Sequence, residues 1–241
     1  MADVDLDRLA GAYAHRPPSR AALDRAGQAA RRLAPGSRIL DVGGGPGDHA
    51  FVWHGRGHRP VVLDPSAEML TGAAARGLVG VRGRAQAMPF RPGSFSLVWF
   101  HLSIHYGDWQ DAIDETIRVL DTAGRIEIWT LGADHFEQSG LARWFPSIPG
   151  IDAERFPDPD LLAGYLSRRC AAPSVTHPVE HVVTTAGAWL PAIEAGFVST
   201  LQLLPDDERA RGIEALRRRY PDPAEEIGYD LRFTRIVADH P

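Results

Sequence analysis

Four glycines, an aspartate about twenty residues further on, and two histidines one helical turn apart are the residues whose types and spacing could do chemistry here. Gly43, Gly44, Gly45 and Gly47 follow the apolar run Ile39, Leu40 and Val42. A buried strand therefore ends in a turn whose backbone bends tightly and approaches a ligand with no Cβ in between. Asp64 closes a second apolar run, Val61-Val62-Leu63, and a carboxylate in that position accepts hydrogen bonds from the two hydroxyls of a ribose. Strand, glycine turn, helix, strand and acid together point to a bound nucleoside. A dinucleotide would use the same opening, but the third glycine of its fingerprint falls at position 48, where this chain has Asp48. A carboxylate near a helix N-terminus repels a pyrophosphate. His101 and His105 are candidate proton acceptors, since imidazole titrates near neutrality. Their spacing also fits a metal pair, but no acid lies between them and no third ligand is evident, so no metal is expected.

Taken together, Leu40-Asp41-Val42-Gly43-Gly44-Gly45-Pro46-Gly47 resembles the first motif of class I S-adenosylmethionine-dependent methyltransferases. Val62-Leu63-Asp64-Pro65-Ser66-Ala67-Glu68-Met69-Leu70 resembles their second. Gly83-Arg84-Ala85-Gln86-Ala87-Met88-Pro89-Phe90 and Ser94-Phe95-Ser96-Leu97-Val98 are similar to the third and fourth motifs, and Glu115 with Arg118-Val119-Leu120 to the helix before the fifth strand. The resemblance is to the small-molecule, type 11-like branch, and it covers residues 13–131 well and the remainder weakly. It implies S-adenosyl-L-methionine as cofactor, S-adenosyl-L-homocysteine as product, and a small-molecule acceptor methylated on carbon, nitrogen or oxygen.

Carried onto matching positions, the resemblance assigns the cofactor to Asp41, Gly43, Gly44 and Gly45, to Asp64, Pro65 and Met69, to Arg84, Ala85 and Gln86, and to Phe100 and His101. Tyr13 and Arg16, ahead of the domain, would fold over it as a lid. His101 and His105 lie where such enzymes present the acceptor, and either could take its proton, although alignment and desolvation alone also serve methyl transfer. Two departures stand out. Arg84 occupies the place of an acid that meets the adenine amino group, and arginine has only donors, which leaves Gln86 or the Ala85 main chain to accept that hydrogen bond. Ser96 replaces an aspartate and is read as structural. These departures prompt a second reading, a cofactor-binding partner or regulator without catalysis.

Composition narrows the field. The sequence of 241 residues carries a formal charge of −5, and all 26 cationic side chains are arginine. Without lysine there is no Schiff base, no pyridoxal anchor and no phosphate-loop nucleotidase of the usual type. The acidic balance, with a pI near 6.0, offers no basic face for nucleic acid or an anionic membrane, so neither partner is expected. A single cysteine, Cys170, and no apolar run of transmembrane length lead to the expectation of a cytoplasmic protein.

These residues need a scaffold to position them. Alternating strand and helix patterns from residue 34 to 131 predict five β-α units, hence parallel pairing. The expected fold is an α/β, doubly wound, Rossmann-like sheet of seven mostly parallel strands, with helices on both faces and a C-terminal cap. Residues 9–33 are read as an N-terminal lid helix segment, 34–131 as the cofactor-binding core and 132–241 as a C-terminal part. Residues 175–183 and 229–237 should form an antiparallel edge hairpin. The insertion between them, about 186–224, should be a helical lid over the acceptor or an interface, and a homodimer is left open. Arg217-Arg218-Arg219 close a helix that opens on Asp206, Asp207 and Glu208, and are read as answering its dipole rather than as a basic patch.

Overall fold

The computed structural model describes residues 4–13 and 19–240. The chain runs through α1 (Leu6–Tyr13), α2 (Arg20–Ala30), β1 (Arg38–Val42), α3 (Asp48–His54), β2 (Arg59–Asp64), α4 (Ala67–Ala75), β3 (Val79–Arg82), β4 (Phe95–His101), α5 (Trp109–Val119) and β5 (Leu120–Thr130). It continues through α6 (Ala133–Gln138), α7 (Ile148–Arg155), α8 (Pro159–Ser167), β6 (Ser174–Thr176), β7 (Val179–Thr185), α9 (Ala186–Ala195), α10 (Asp206–Arg219), β8 (Glu226–Arg232) and β9 (Thr234–Asp239). These elements form two compact units. One comprises residues 19–130, Pro157–His177 and 234–240, and the other residues 4–13, Leu131–Phe156 and Pro178–Phe233.

The first unit is the expected seven-stranded sheet, in the order β3-β2-β1-β4-β5-β9-β6. The strands from β1 to β5 pair in parallel, and β9 runs antiparallel to both β5 and β6. Strand periodicity divides the side chains between two faces. Leu40, Val42, Val98, Phe100, Ile126 and Ile128 point to a core shared with α5 and α8 through Ile113, Val119, Leu162 and Leu166. Asp41, Trp99 and His101 alternate with them and so belong to the other face. There Trp53 of α3 is fully buried, lies 5.7 Å from the Trp99 ring and donates its indole N–H to the Ala26 carbonyl of α2 at 2.7 Å. Helices thus cover both faces. Residues 121–124 run within β5, opposite an irregularity between Phe95 and Leu97. Ser96 donates its hydroxyl to Asp121 at 2.8 Å, so it is tied to strand structure.

The expected edge hairpin is split. Its register is continuous, with Thr176 opposite Arg235 and Val179 opposite Arg232, but only β6 and β9 join the large sheet, while β7 and β8 form a separate ribbon. Pro178 lies between β6 and β7, and with no N–H to give the ladder it interrupts the strand.

The second unit has its own core, in which Phe145, Ile148, Trp189, Ile193, Leu216 and Ile227 pack together. Residues 186–224 are therefore not a free-standing flap, because their apolar side chains close on Phe145 and Ile148 from outside the insertion. Helix α7 forms in a proline-containing stretch. Pro149 falls in its first turn, where a missing N–H costs nothing. Asp152 on α7 accepts the Thr200 hydroxyl at 2.5 Å, and Arg155 donates to Thr200 and Ser199, which fastens the 3₁₀ turn Ser199–Gln202 to that helix. Arg217, Arg218 and Arg219 pair with Glu194, Glu214 and Glu225, in keeping with an ordinary helix end.

His135 of α6 is buried, and its Nδ1 accepts the Arg232 backbone N–H at 3.3 Å. Burial, with the Arg232 guanidinium nearby, pushes its pKa down from 6.5 to about 4, against the opposing pull of Asp134. Between those values the unfolded chain binds a proton that the folded chain does not, so stability falls as pH drops from about 6.5 to 4, by at most about 1.4 kcal/mol per pH unit. His135→Gln should flatten that acid limb in thermal melts between pH 4 and 7. An unchanged limb would assign the acid sensitivity elsewhere.

Candidate functional site

The site candidates in the sheet unit gather where β1 neighbours both β2 and β4. At this point the strand order reverses, and open α/β sheets bind ligands in the crevice at the carboxyl ends of such strands. Gly43 leaves β1 with φ +66°, and its N–H donates to the Leu63 carbonyl at 2.7 Å. A Cβ on Gly43 would stand 2.6 Å from Ser103 Cβ, and one on Gly44 would stand 2.5 Å from Asp41 Cγ, so the turn lies directly on its neighbours. Ser103 follows β4 and donates its hydroxyl to the Val42 carbonyl at 2.5 Å. Between His101 and Ser103, Leu102 has φ +54°, a conformation that costs a non-glycine residue about 1–3 kcal/mol. Such strain persists where surrounding bonds impose it, and here the Leu102 N–H is held by the Trp129 carbonyl at 2.9 Å.

Asp64 is 6% exposed, and both of its oxygens are engaged. Oδ2 accepts the Gly45 N–H and Oδ1 the Ser66 N–H, each at 2.9 Å. The acid pins the glycine turn to β2 and to the start of α4, which Ser66 caps by accepting the Met69 N–H at 3.1 Å. Each carboxylate oxygen has two lone pairs and can accept more than one hydrogen bond. The Pro65 carbonyl accepts from Arg82 Nε at 3.1 Å, and the buried Met69 sulfur lies beneath the turn, 3.4 Å from where a Cβ on Gly45 would be. Asp48 pairs with Arg76, so its charge is partly answered, and the case against a pyrophosphate rests more on the missing third glycine than on bare repulsion.

Arg84 is exposed, and Ala85 is half-buried against the core. Gln86 donates its amide nitrogen to the carbonyls of Tyr106 and Asp108, both at 3.0 Å. Two carbonyl partners fix the orientation of the amide and leave its oxygen as the acceptor. The segment after Gln86 is clamped by α5: Glu115 accepts the Met88 N–H at 2.7 Å, while Arg118 pairs with Glu115 and donates to the carbonyls of Phe90 and Met88.

Asp41 is 1% exposed, and its Oδ2 has no hydrogen-bond partner among the described residues. Burial, reinforced by the carboxylates of Asp48 and Asp64 against a hydrogen bond from Ala50, pushes its pKa from 3.8 up to about 8. His49 Nδ1 lies 4.0 Å from Asp41 Oδ1, and its ring centre is 4.7 Å from that of His101. His101 Nε2 lies 3.2 Å from Arg25 Nη2; as arginine can only donate, that nitrogen is the acceptor. The Arg25 guanidinium also sits 4.8 Å from the centre of the Trp129 ring. The Phe100 side chain is wholly inside the α5-face core, so any part it plays at the strand end belongs to its main chain. His105 is half-buried, its ring 4.2 Å from that of Tyr106. Tyr13 ends α1 in the second unit, and Arg16 lies outside the described residues.

The structure thus brings Asp41, the glycine turn, Asp64 and His101 to one sheet edge, and adds three residues that motif reading passes over. His49 is one step past the helix-opening Asp48, Arg25 lies beside the apolar face of α2, and Ser103 is a lone serine after β4. Only His49 carries a sequence signal, being a titratable side chain in the first turn of the helix that leaves the glycines. Among the described residues no three His, Cys, Asp or Glu side chains are grouped to hold a metal ion.

Residues 40–128 match the family described as "Methyltransferase domain". Malonyl-[acyl-carrier protein] O-methyltransferase of Erwinia billingiae is 34% identical over 131 residues, 53% of this chain and 52% of that protein. The ubiquinone/menaquinone biosynthesis C-methyltransferase of Rhizobium leguminosarum bv. trifolii is 36% identical over 107 residues, 39% of this chain and 42% of the other. The chain spans about half the length of the curated relatives it matches. Among solved structures, geranyl diphosphate C-methyltransferase from Streptomyces coelicolor A3(2), complexed with Mg2+, geranyl diphosphate and S-adenosyl-L-homocysteine, is similar with a TM-score of 0.57. At 18% identity, over 92% of this chain and 80% of that one, the likeness shows the fold alone.

Proposed function

We propose that the chain, whose residues 40–128 match a methyltransferase domain, is a class I S-adenosylmethionine-dependent methyltransferase that transfers a methyl group from S-adenosyl-L-methionine to a small-molecule acceptor. The observation that carries this reading is the buried Asp41 Oδ2, an acceptor with no partner among the described residues, at the floor of the glycine turn. An unpaired buried acceptor is costly unless a donor arrives. The cofactor's ammonium is such a donor. Asp64 is suited to the ribose hydroxyls and the Gln86 oxygen to the adenine amine, so three acceptors along one edge match three donor groups of an adenosyl amino acid. Arg84 then need not serve adenine at all. The bound cofactor supplies a methyl group on a sulfonium, ready for in-line displacement. The chain's part is to fix that group at the ends of β1 and β4, exclude water and align the acceptor.

The second reading, a binder without catalysis, loses one of its two supports, since Ser96 has a structural hydrogen bond of its own. The relatives named above act on a protein-bound malonyl group and in quinone biosynthesis, so the acceptor is assigned here only to the small-molecule class. We place the protein in the cytoplasm. No helix of the described residues is long and apolar enough to cross a membrane.

Thermal shift tests the reading. S-adenosylhomocysteine at a hundred times its dissociation constant adds about 2.7 kcal/mol, which in a chain of this size raises Tm by roughly 5–10 °C. NAD should leave Tm unchanged, and the opposite pattern would sink the assignment.

A further inference from the structure

Within the second compact unit, α10 packs on the loop that carries Trp144 and leaves a cleft of about 490 Å³ beside it. Two contacts one turn apart press the helix onto that loop. Glu208 accepts the Ser147 N–H at 2.9 Å and the Ser147 hydroxyl at 2.6 Å. Gly212 comes so close that a Cβ there would overlap the Phe145 ring and stand 2.7 Å from the Trp144 carbonyl. Ala215 continues the same side of the helix, and its methyl group is too short to fill the space between Trp144 and the flanking Arg211 and Arg218. The resulting volume lies in the range of roughly 300–1,000 Å³ that small-molecule sites occupy.

The charge that lines this cleft without a fixed partner is positive. The Arg143 guanidinium lies 5.1 Å from the centre of the Trp144 ring, and among the described residues it pairs with no carboxylate. Glu208 has both oxygens on Ser147. Arg211 and Arg218 pair with Asp207 and Glu214 at 2.6 and 2.9 Å, but the side chains of both pairs are more than two-thirds exposed. Exposed pairs one helical turn apart contribute little and exchange partners readily. Either arginine can therefore turn to an anion in the cleft without stranding a buried charge.

We propose that this cleft binds a small organic anion, whose planar aromatic body lies along Trp144 over Ala215 and whose carboxylate is held by Arg143 together with Arg211 or Arg218. A carboxylate meets a guanidinium through two parallel N–H···O bonds. A flat ring gains from the face of an indole and from the guanidinium beside it. Both halves of the ligand are needed: a neutral aromatic loses the ionic anchor, and a small inorganic anion gains nothing from Trp144. The cleft shares no residue with the site at the sheet edge, and the inference stands apart from methyl transfer.

NMR of protein labelled with 15N-tryptophan tests the site, because the six tryptophans give separate indole N–H signals and Trp144→Phe assigns the one concerned. Titration with 2-naphthoate should shift the Trp144 signal and saturate. The neutral 2-naphthylmethanol should bind about 10- to 150-fold more weakly, the factor expected for losing hydrogen bonds to a charged group. Arg143→Gln, an exposed substitution, should weaken 2-naphthoate over the same range, and Arg143→Lys should restore binding only in part, since it keeps the charge but not the fork. Ala215→Leu places a good helix former in the cleft and should abolish the shift, with thermal melts showing the fold retained. The proposal fails if the Trp144 signal stays put at millimolar 2-naphthoate, if 2-naphthylmethanol moves it at equal concentration, or if Arg143→Gln binds as the wild type does. Displacement of 2-naphthoate by an equal concentration of inorganic phosphate would also overturn it, because charge alone would then account for binding.

Discussion

Asparagine in place of Asp41 raises the melting temperature of the unliganded protein at pH 8 and weakens its hold on S-adenosylhomocysteine. The sign follows from the two protonation states. The unfolded aspartate ionises near 3.8 and the folded one near 8. Between those values the folded chain retains a proton that the unfolded chain has released, so stability declines as pH rises through that window, by at most about 1.4 kcal/mol per unit. The amide of Asp41→Asn would carry no such proton while keeping nearly the same shape beside Gly44. The gain should therefore be small at pH 4 and grow to several kcal/mol by pH 8, each worth roughly 2–4 °C in a chain of this size. The cofactor ammonium loses a charged partner, at a cost of about 1.5–3 kcal/mol, or roughly 10- to 150-fold in affinity. In the wild type, binding near pH 7 should release a proton, detectable as a calorimetric heat that varies with the ionisation enthalpy of the buffer. A variant that melts lower and binds as well as the wild type would make Asp41 a structural residue.

How much of this was legible beforehand depended on how local the cause was. The five β-α units could be read because Ile39, Leu40 and Val42, Val61 to Leu63, and Leu97 to Phe100 are short apolar runs between strong punctuation, and alternation with helices forces parallel pairing. The glycine turn and Asp64 could be placed for the same reason. The split of the edge hairpin at Pro178 was less visible, since residues 175–183 are β-rich on both sides of the proline. Helix α7 hid behind prolines that its first turn tolerates. Long-range pairings were not legible at all. Nothing in the spacing of Arg25 and His101, 76 positions apart, says that they meet. The burial of Asp41 was readable from its strand, but the orphaned oxygen was not, because it depends on what the turn, α3 and β4 together fail to supply.

Asp64 is where strand-end logic alone misleads most. Read as the acid at a cleft, it should be removable at the expense of cofactor affinity alone. In the folded chain it also accepts two backbone N–H groups, from Gly45 and Ser66, at 2.9 Å each. Hydrogen bonds to a charged acceptor contribute about 1.5–3 kcal/mol apiece, and the donors left behind in Asp64→Ala are buried near the turn. The expected loss of stability is therefore about 3–5 kcal/mol, or roughly 6–20 °C in Tm. Asp64→Asn, which keeps one acceptor oxygen, should fall between alanine and wild type. Binding separates this acid from Asp41. Asp64 is assigned to the ribose, so its variants should weaken S-adenosylhomocysteine and methylthioadenosine by the same factor. Asp41 is assigned to the ammonium, so Asp41→Asn should weaken only the former. Calorimetry with the two ligands on the two asparagine variants completes the comparison. Equal losses for both ligands in both variants would mean that each acid acts by shaping the glycine turn, and that neither half of the cofactor is read by the side chain assigned to it.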